Sequence, residues 1–192
     1  MTEWITAEDV SSWLGRELTP EEIGRLPGQI AAVQKRLVAA IGWSPFPPSS
    51  LEMVLRGTWS HRLQLPRRPV LEVSVLEVNG VHRTGWWLAP PDELIGPWAG
   101  VWGGTDGVVE IEGTFGYTSL PPDLEALTTE LTAMLLTTDP QLAQGMLQSE
   151  SLGPYRVAYQ SMWEAAGGAW GGTSAIIARY RPSGNTSLAV SA

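Results

Sequence analysis

The sequence predicts an α+β protein: a small helical bundle with an inserted antiparallel β-domain and an extended C-terminal arm. Three observations carry this. Capped stretches with apolar residues at helical spacing occur near both ends of the chain, a proline-rich segment at 44–50 leads into a series of short β-like runs, and the last residues lose helical periodicity. The divisions that follow are 1–43 for the N-terminal helices, 51–118 for the β-rich insertion, 119–180 for the helices that complete the bundle, and 181–192 for the arm.

Thr6-Ala7-Glu8-Asp9 reads as an N-cap with an acidic first turn, opening a short helix that carries Val10, Trp13 and Leu14 on one side and closes at Gly15. Thr19-Pro20-Glu21-Glu22 is a second start. Thr19 is placed to cap, Pro20 suits the first helical position, and Glu22 can bond back to the cap amide. Ile23, Leu26, Ile30, Val33, Leu37 and Ile41 then recur at three and four residues, and Gly42 supplies the stop. Pro27-Gly28 interrupts this stripe and predicts a kink or break.

Ser44-Pro45-Phe46-Pro47-Pro48-Ser49-Ser50 can neither continue a helix nor enter a central strand, because its prolines lack donors and fix their own torsions. It reads as an extended linker. Beyond it, β-like runs occupy 51–56, 61–65, 70–78 and 108–115, with Asn79-Gly80 as a turn signal after the third. In the last run Val109, Ile111 and Phe115 alternate with Glu110, Glu112 and Thr114, giving one core face and one polar face. Residues 85–107 form a Trp/Gly/Pro-rich excursion, too long for a hairpin turn and too apolar for a free loop.

Pro121-Pro122-Asp123 opens a further helix with the stripe Leu124, Leu127, Leu131, Met134 and Leu135, ending near 137–140. Residues 149–159 read as a turn feeding a strand. After a Gly-rich stretch Thr173 caps a short helix through Tyr180, and 181–192 extends as an arm.

Composition narrows the function. The chain has 192 residues, Lys+Arg 12 against Asp+Glu 20, a net charge of −8, 43% hydrophobic residues and no cysteine. That suits an ordinary acidic domain with a core of its own and removes disulfides and cysteine–zinc sites. The acidic balance argues against gripping nucleic acid, whose phosphates are held by clustered Lys and Arg. No apolar stretch approaches the roughly 18–20 residues needed to span a bilayer, and acids stand where a signal peptide carries bases. A soluble protein, not exported by that route, is the expectation. Gly and Pro together make up about 19% of the chain, which marks many turns without reaching low complexity. Lys35 is the one lysine beside eleven arginines; a GC-rich genome accounts for this more simply than arginine-rich interfaces do. Ten tryptophans exceed what one core readily holds, so some are expected at a contact surface.

The usual catalytic constellations are thin. His61 and His82 stand apart without metal-ligand spacing, the glycines of 96–107 lack a phosphate-cradle pattern, and no GxSxG elbow occurs. Glu110 and Glu112 share a strand face, where alternating glutamates are common, whereas glycosidase pairs face each other across a cleft. No catalytic residue, cofactor or metal is assigned. Trp86, Trp87, Trp98 and Trp102 admit two readings. They could stack on sugars as a carbohydrate-binding β-module, or pack against their own sheet or a neighbouring subunit. Sugar sites also need converging polar groups, and only Arg83, Asp92, Glu93 and Asp106 are near, which favours packing.

The order of parts resembles the head-to-tail adaptor (connector) proteins of tailed bacteriophages, especially those of actinobacterial hosts. The resemblance spans about residues 6–182. It is carried by the two N-terminal helices, Leu65-Pro66-Arg67-Arg68-Pro69-Val70 with Glu72-Val73-Ser74-Val75, and Val109–Tyr117 leading into Pro121-Pro122-Asp123-Leu124. Ser149-Glu150-Ser151-Leu152-Gly153-Pro154-Tyr155 and Ile177-Ala178-Arg179-Tyr180-Arg181-Pro182 continue it. The excursion at 85–107 and the insertion from Trp163 to Gly172 depart from the family's pattern.

This resemblance implies a non-enzymatic virion protein of the neck, assembled in the host cytoplasm. It implies a homo-oligomeric ring of about twelve copies docked under the portal, contacting a stopper or tail-terminator protein, with no membrane partner. Genomic DNA only passes through, which an acidic channel would favour by repelling it. A stopper or tail-completion role in the same virion is the neighbouring alternative. Arg179, Tyr180, Arg181, Leu188, Val190, Trp86, Trp87, Trp98 and Trp102 are the expected interface residues, the arm docking on the portal by strand addition or threading.

Overall fold

Short-range side-chain caps set the starts of the first two helices of this chain. A computed structural model describes residues 3–137, 171–183 and 189–191, and the chain divides into one unit of Met1–Ile41 with Leu120–Arg179 and another of Gly42–Ser119 with Tyr180–Ala192. In the first unit, helix α1 (Ala7–Leu14) begins with a reciprocal box. The Thr6 hydroxyl accepts from the Asp9 N–H at 3.3 Å, and the Asp9 carboxylate accepts from the Thr6 N–H at 2.7 Å. Gly15 ends it at φ 65°, a left-handed conformation that costs glycine little.

Helix α2 (Pro20–Ile41) starts with the same device: the Thr19 N–H donates to Glu22 at 2.8 Å and the Glu22 N–H to the Thr19 hydroxyl at 3.2 Å. The helix runs without a break through Pro27, so of the expected kink or break the break does not occur. The carbonyl that loses its donor there belongs to Ile23, which is 53% exposed, so solvent can take the place of the missing N–H. The same exposure removes Ile23 from the stripe. Leu26, Ile30, Val33, Leu37 and Ile41 are buried as their spacing predicts.

Helix α3 (Pro122–Thr137) packs against both α1 and α2. With two partners it buries more than one stripe: Leu124, Leu127, Leu131, Ala133 and Leu136 are covered, and so are Thr128, Thr129 and Thr132. Met134 is 39% exposed, which corrects the predicted core set and brings Leu136 into it. Buried Thr128 satisfies its hydroxyl by donating to the Leu124 carbonyl at 2.6 Å. Helix α4 (Gly171–Tyr180) begins at Gly171, two residues ahead of the expected start at Thr173. The expectations for 149–159 and 163–170 lie outside the described residues.

The second unit carries two sheets. Strands β1 (Ser49–Arg56), β3 (Val70–Val78), β4 (Val81–His82), β7 (Val108–Phe115) and β8 (Ala189–Ser191) form one in the order β4-β3-β7-β1-β8. Strands β2 (Arg62–Gln64), β5 (Trp87–Ala89) and β6 (Glu93–Ile95) form the other in the order β2-β6-β5. All the pairings are antiparallel. The core face of the larger sheet is Leu51, Met53, Leu55, Leu76, Val78, Val109, Ile111 and Phe115, all buried. Asn79-Gly80 makes the turn from β3 to β4 with both residues at positive φ, 52° and 70°, and the Asn79 carboxamide oxygen accepts from the Val108 N–H at 2.9 Å. Gly113, mid-strand in β7, is where β3 bulges; a Cβ there would run into the Glu72 carbonyl.

The proline-rich segment is shorter than predicted, since Ser49 and Ser50 already belong to β1. It is also pinned, because buried Pro45 accepts from the Tyr117 N–H at 2.8 Å. The excursion is a folded part of the unit: its β5 and β6 build the small sheet, and Trp102 is completely buried.

Candidate assembly interface

Single side chains that pack well on their own backbone yet stay open to solvent are where a partner can add burial. In the first unit Trp13 on α1 is 51% exposed. It borders a shallow groove between α1 and α3 lined also by Asp9, Ser12, Pro122, Glu125 and Thr129. Ile23 on α2 is exposed as well. Between Gly15 and α2, Arg16 grips Glu22 through both terminal nitrogens of its guanidinium, at 2.6 and 2.9 Å. That bond, the Thr19 N–H and the Thr19 hydroxyl hold the Glu22 carboxyl down at about 2. The sequence reading found the Thr19–Glu22 box but not Arg16, whose place six residues ahead of Glu22 follows no fixed spacing rule.

In the second unit the small sheet has a clear inside and outside. Leu63 and Leu94 are buried beneath it, while Arg62, Ile95 and Trp87 share a cross-strand row on the outward face. Trp87 is 54% exposed there, and Arg62 pairs with Glu93 at 3.0 Å. The loop after β6 turns through Gly100, Gly103 and Gly104, all at positive φ. Trp59 lies across Gly100 and Gly104, where a Cβ on Gly104 would come within 2.8 Å of the indole. Glycine supplies the floor, and Trp59 stays 69% exposed above it. Trp98, on the same loop, is also exposed.

The four tryptophans singled out from the sequence therefore do not form one platform. Trp87 and Trp98 face solvent. Trp86 is half-buried and donates its indole N–H to the Arg83 carbonyl at 3.0 Å, and Trp102 is sealed in the core. Trp102 is accordingly withdrawn as an interface residue, because a side chain with no accessible surface meets no partner. Exposed Trp59 was missed; its signal was only its place between β1 and β2, with no aromatic neighbour in sequence.

The C-terminal residues divide in the same way. Arg179 is exposed and pairs with Asp123 at 2.7 Å, a base in the last turn of α4 and an acid in the first turn of α3. Tyr180 is 5% exposed, with its ring edge-on to Tyr117 and its carbonyl accepting the Trp43 indole N–H at 2.8 Å. It is a packing residue of its own unit, which corrects its assignment as an interface side chain. Arg67 lies over the Trp43 ring at 5.5 Å, and burial pulls its guanidinium below its ordinary value. Arg181 is exposed. The described parts of the arm are held: Ser183 donates its N–H to Pro66 at 2.8 Å and its hydroxyl to Leu65 at 3.1 Å, and Val190 lies opposite Met53 in the β8–β1 ladder. Leu188 lies outside the described residues.

The outward face of the larger sheet is acidic. Register places Glu52 opposite Glu112 and Glu110 opposite Glu77, with Glu72 beside Thr114 on the same side. Like charges directly opposite weaken a sheet, so this face is a cost to the fold. Among the described residues no group of three or more His, Cys, Asp or Glu could hold a metal ion, and no helix is long and apolar enough to cross a membrane.

No family model and no curated protein matches the chain. Among solved structures, a chain in the neck of an empty GTA particle computed with C6 symmetry is similar, with 20% identity, 95% of this chain and 94% of that chain covered, and a TM-score of 0.48.

Proposed function

We propose that this protein is a structural component of a phage-like virion neck, a head-to-tail adaptor whose copies form a ring under the portal, contact a stopper or tail-terminator protein and let DNA pass. The observation that carries the reading is the placement of large apolar anchors. Trp13 and Ile23 are presented by the helical unit, and Trp59, Trp87 and Trp98 by the β unit. A rotationally symmetric ring uses heterologous contacts, one patch meeting a different patch on the next copy, and so needs two such surfaces on every subunit. Tryptophans seated on rigid strands and glycine turns suit that work, since their ordering cost is already met.

The resemblance in order and phrases across residues 6–182 names the kind of assembly. The acidic face of the larger sheet suits a wall along which a polyanion moves without being held. A sugar-binding reading loses part of its platform, since Trp102 is sealed in the core and Trp86 is half-buried on the Arg83 carbonyl.

Sedimentation velocity on the purified chain, alone and with portal protein, tests the reading, with cryo-electron microscopy of the complete particle to locate it. A large ring, or a complex that forms only with portal, is the expected result. A chain that stays single in both settings, while oligosaccharides shift its tryptophan fluorescence, overturns it.

A further inference from the structure

The chain has two asparagines, and only Asn79 is followed by a glycine. An Asn-Gly pair is prone to lose its side-chain amide, because glycine has no side chain to hinder attack by its own nitrogen. The Gly80 nitrogen bonds to the Asn79 side-chain carbonyl carbon and gives up its proton to base, and the side-chain nitrogen leaves as ammonia. The succinimide ring so formed takes up one water and opens at either carbonyl, to aspartate or to isoaspartate. Water is the one co-reactant. Asn79 and Gly80 are both exposed at the tip of the β3–β4 turn, so water and base reach them freely.

What the fold controls is where the carboxamide stands. Its oxygen accepts from the Val108 N–H at 2.9 Å, while the Asn79 N–H donates to the Val108 carbonyl at 2.8 Å, a two-point clamp onto the start of β7. Its nitrogen lies against Gly103, where a Cβ would come within 3.1 Å of it. Ring closure needs this side chain to leave Val108 and swing back over its own peptide bond to Gly80. We propose that Asn79-Gly80 is a latent modification site, closed by the clamp to β7 and opened when that end of the β3–β7 ladder parts, and that isoaspartate formed there bars the ladder from closing again. The site is independent of the neck reading. It makes the turn a one-way mark of chains whose β unit has opened.

The two products differ in what they do to the turn. Aspartate keeps the main chain as it was, offers Val108 an oxygen acceptor and tolerates positive φ. Isoaspartate carries the main chain out through its side chain, adding one carbon to a two-residue turn whose geometry holds Val78 opposite Val81 and Val109. A longer turn does not keep that register.

The full-length protein is incubated in neutral buffer across a urea series, with deamidation at Asn79 followed by peptide mass spectrometry and exchange of the Val108 N–H by NMR. Deamidation should be at least about tenfold slower in the folded chain than in the unfolded one, and should rise with urea in step with Val108 exchange. Equal rates in folded and unfolded chain reject the clamp. A folded rate that is slow but does not follow Val108 exchange assigns the protection to the turn alone and also rejects it. Chains deamidated in urea are then separated into aspartate and isoaspartate forms and returned to buffer beside the Asn79→Asp variant. The aspartate form and the variant should regain the near-ultraviolet circular dichroism of the native protein, and the isoaspartate form should not. An isoaspartate form that refolds rejects the one-way mark, and an Asn79→Asp variant that fails equally assigns the failure to the added charge and rejects it too.

Discussion

The helix starts of the helical unit and the seams of the β unit are held at opposite ranges of sequence. In the helical unit the groups that fix the helix starts are three to six residues apart: Thr6 with Asp9, Thr19 with Glu22, Arg16 with Glu22. In the β unit the bonds at its seams join Trp43 to Tyr180, 137 residues apart, and Ser183 to Leu65, 118 apart. Local contacts form at little entropic cost and can be read from a short window of sequence. Distant ones must first close a loop and appear only in the folded chain. The helical unit should therefore respond to local changes at its caps, and the β unit to changes at its core and seams.

The largest effect is expected at the centre of the β unit. Trp102→Ala removes its biggest fully buried side chain and should cost about 3–5 kcal/mol in urea unfolding. A loss below about 1 kcal/mol would mean the excursion does not belong to that unit's core. Next is a seam. Trp43→Phe removes the buried indole donor to the Tyr180 carbonyl and should cost about 1–3 kcal/mol.

At a cap the change is smaller, with Thr19→Ala expected to cost about 1 kcal/mol of α2 stability by circular dichroism melts. The same cap should respond to acid. The Glu22 carboxyl sits at about 2 when folded against 4.5 as its ordinary value, so its contribution is complete above 4.5 and is lost as pH falls through the folded value. Glu22→Gln should consequently flatten the acid limb of the unfolding curve, the difference from wild type narrowing toward pH 2. An unchanged acid limb would remove Arg16–Glu22 from the account of that helix start. The smallest effect on folding is at the surface: Trp87→Ala should shift stability by no more than about 0.5 kcal/mol while weakening, in sedimentation, the ring proposed above, which separates a contact residue from a packing one.

What could be read from the sequence follows the same division. The α+β class, the Thr6 cap with its acidic first turn, the Thr19–Glu22 box, the Gly15 and Gly42 stops, the spans of β3 and β7 and the Asn79-Gly80 turn all rest on chemistry within a few residues, and all are present. Pro27 does not break its helix because the cost of a missing donor depends on whether water reaches the opposing carbonyl. The α3 stripe misled because a helix with two partners has no single apolar face. At the candidate interface, a run of tryptophans in sequence says nothing of which ring turns inward. Trp102 and Tyr180 are enclosed by residues that a local reading cannot bring near, while Trp59 gains its exposed seat from glycines more than forty positions away.

The carboxylates that cover the outward face of the larger sheet have a consequence for crowding. Two copies approaching broadside, sheet to sheet, meet with the same sign of charge on both, and the repulsion grows as salt is withdrawn. Stacking by that route is disfavoured at any concentration, so encounters between molecules are directed toward their rims, and dilute buffer should sharpen this directionality where concentrated salt blurs it.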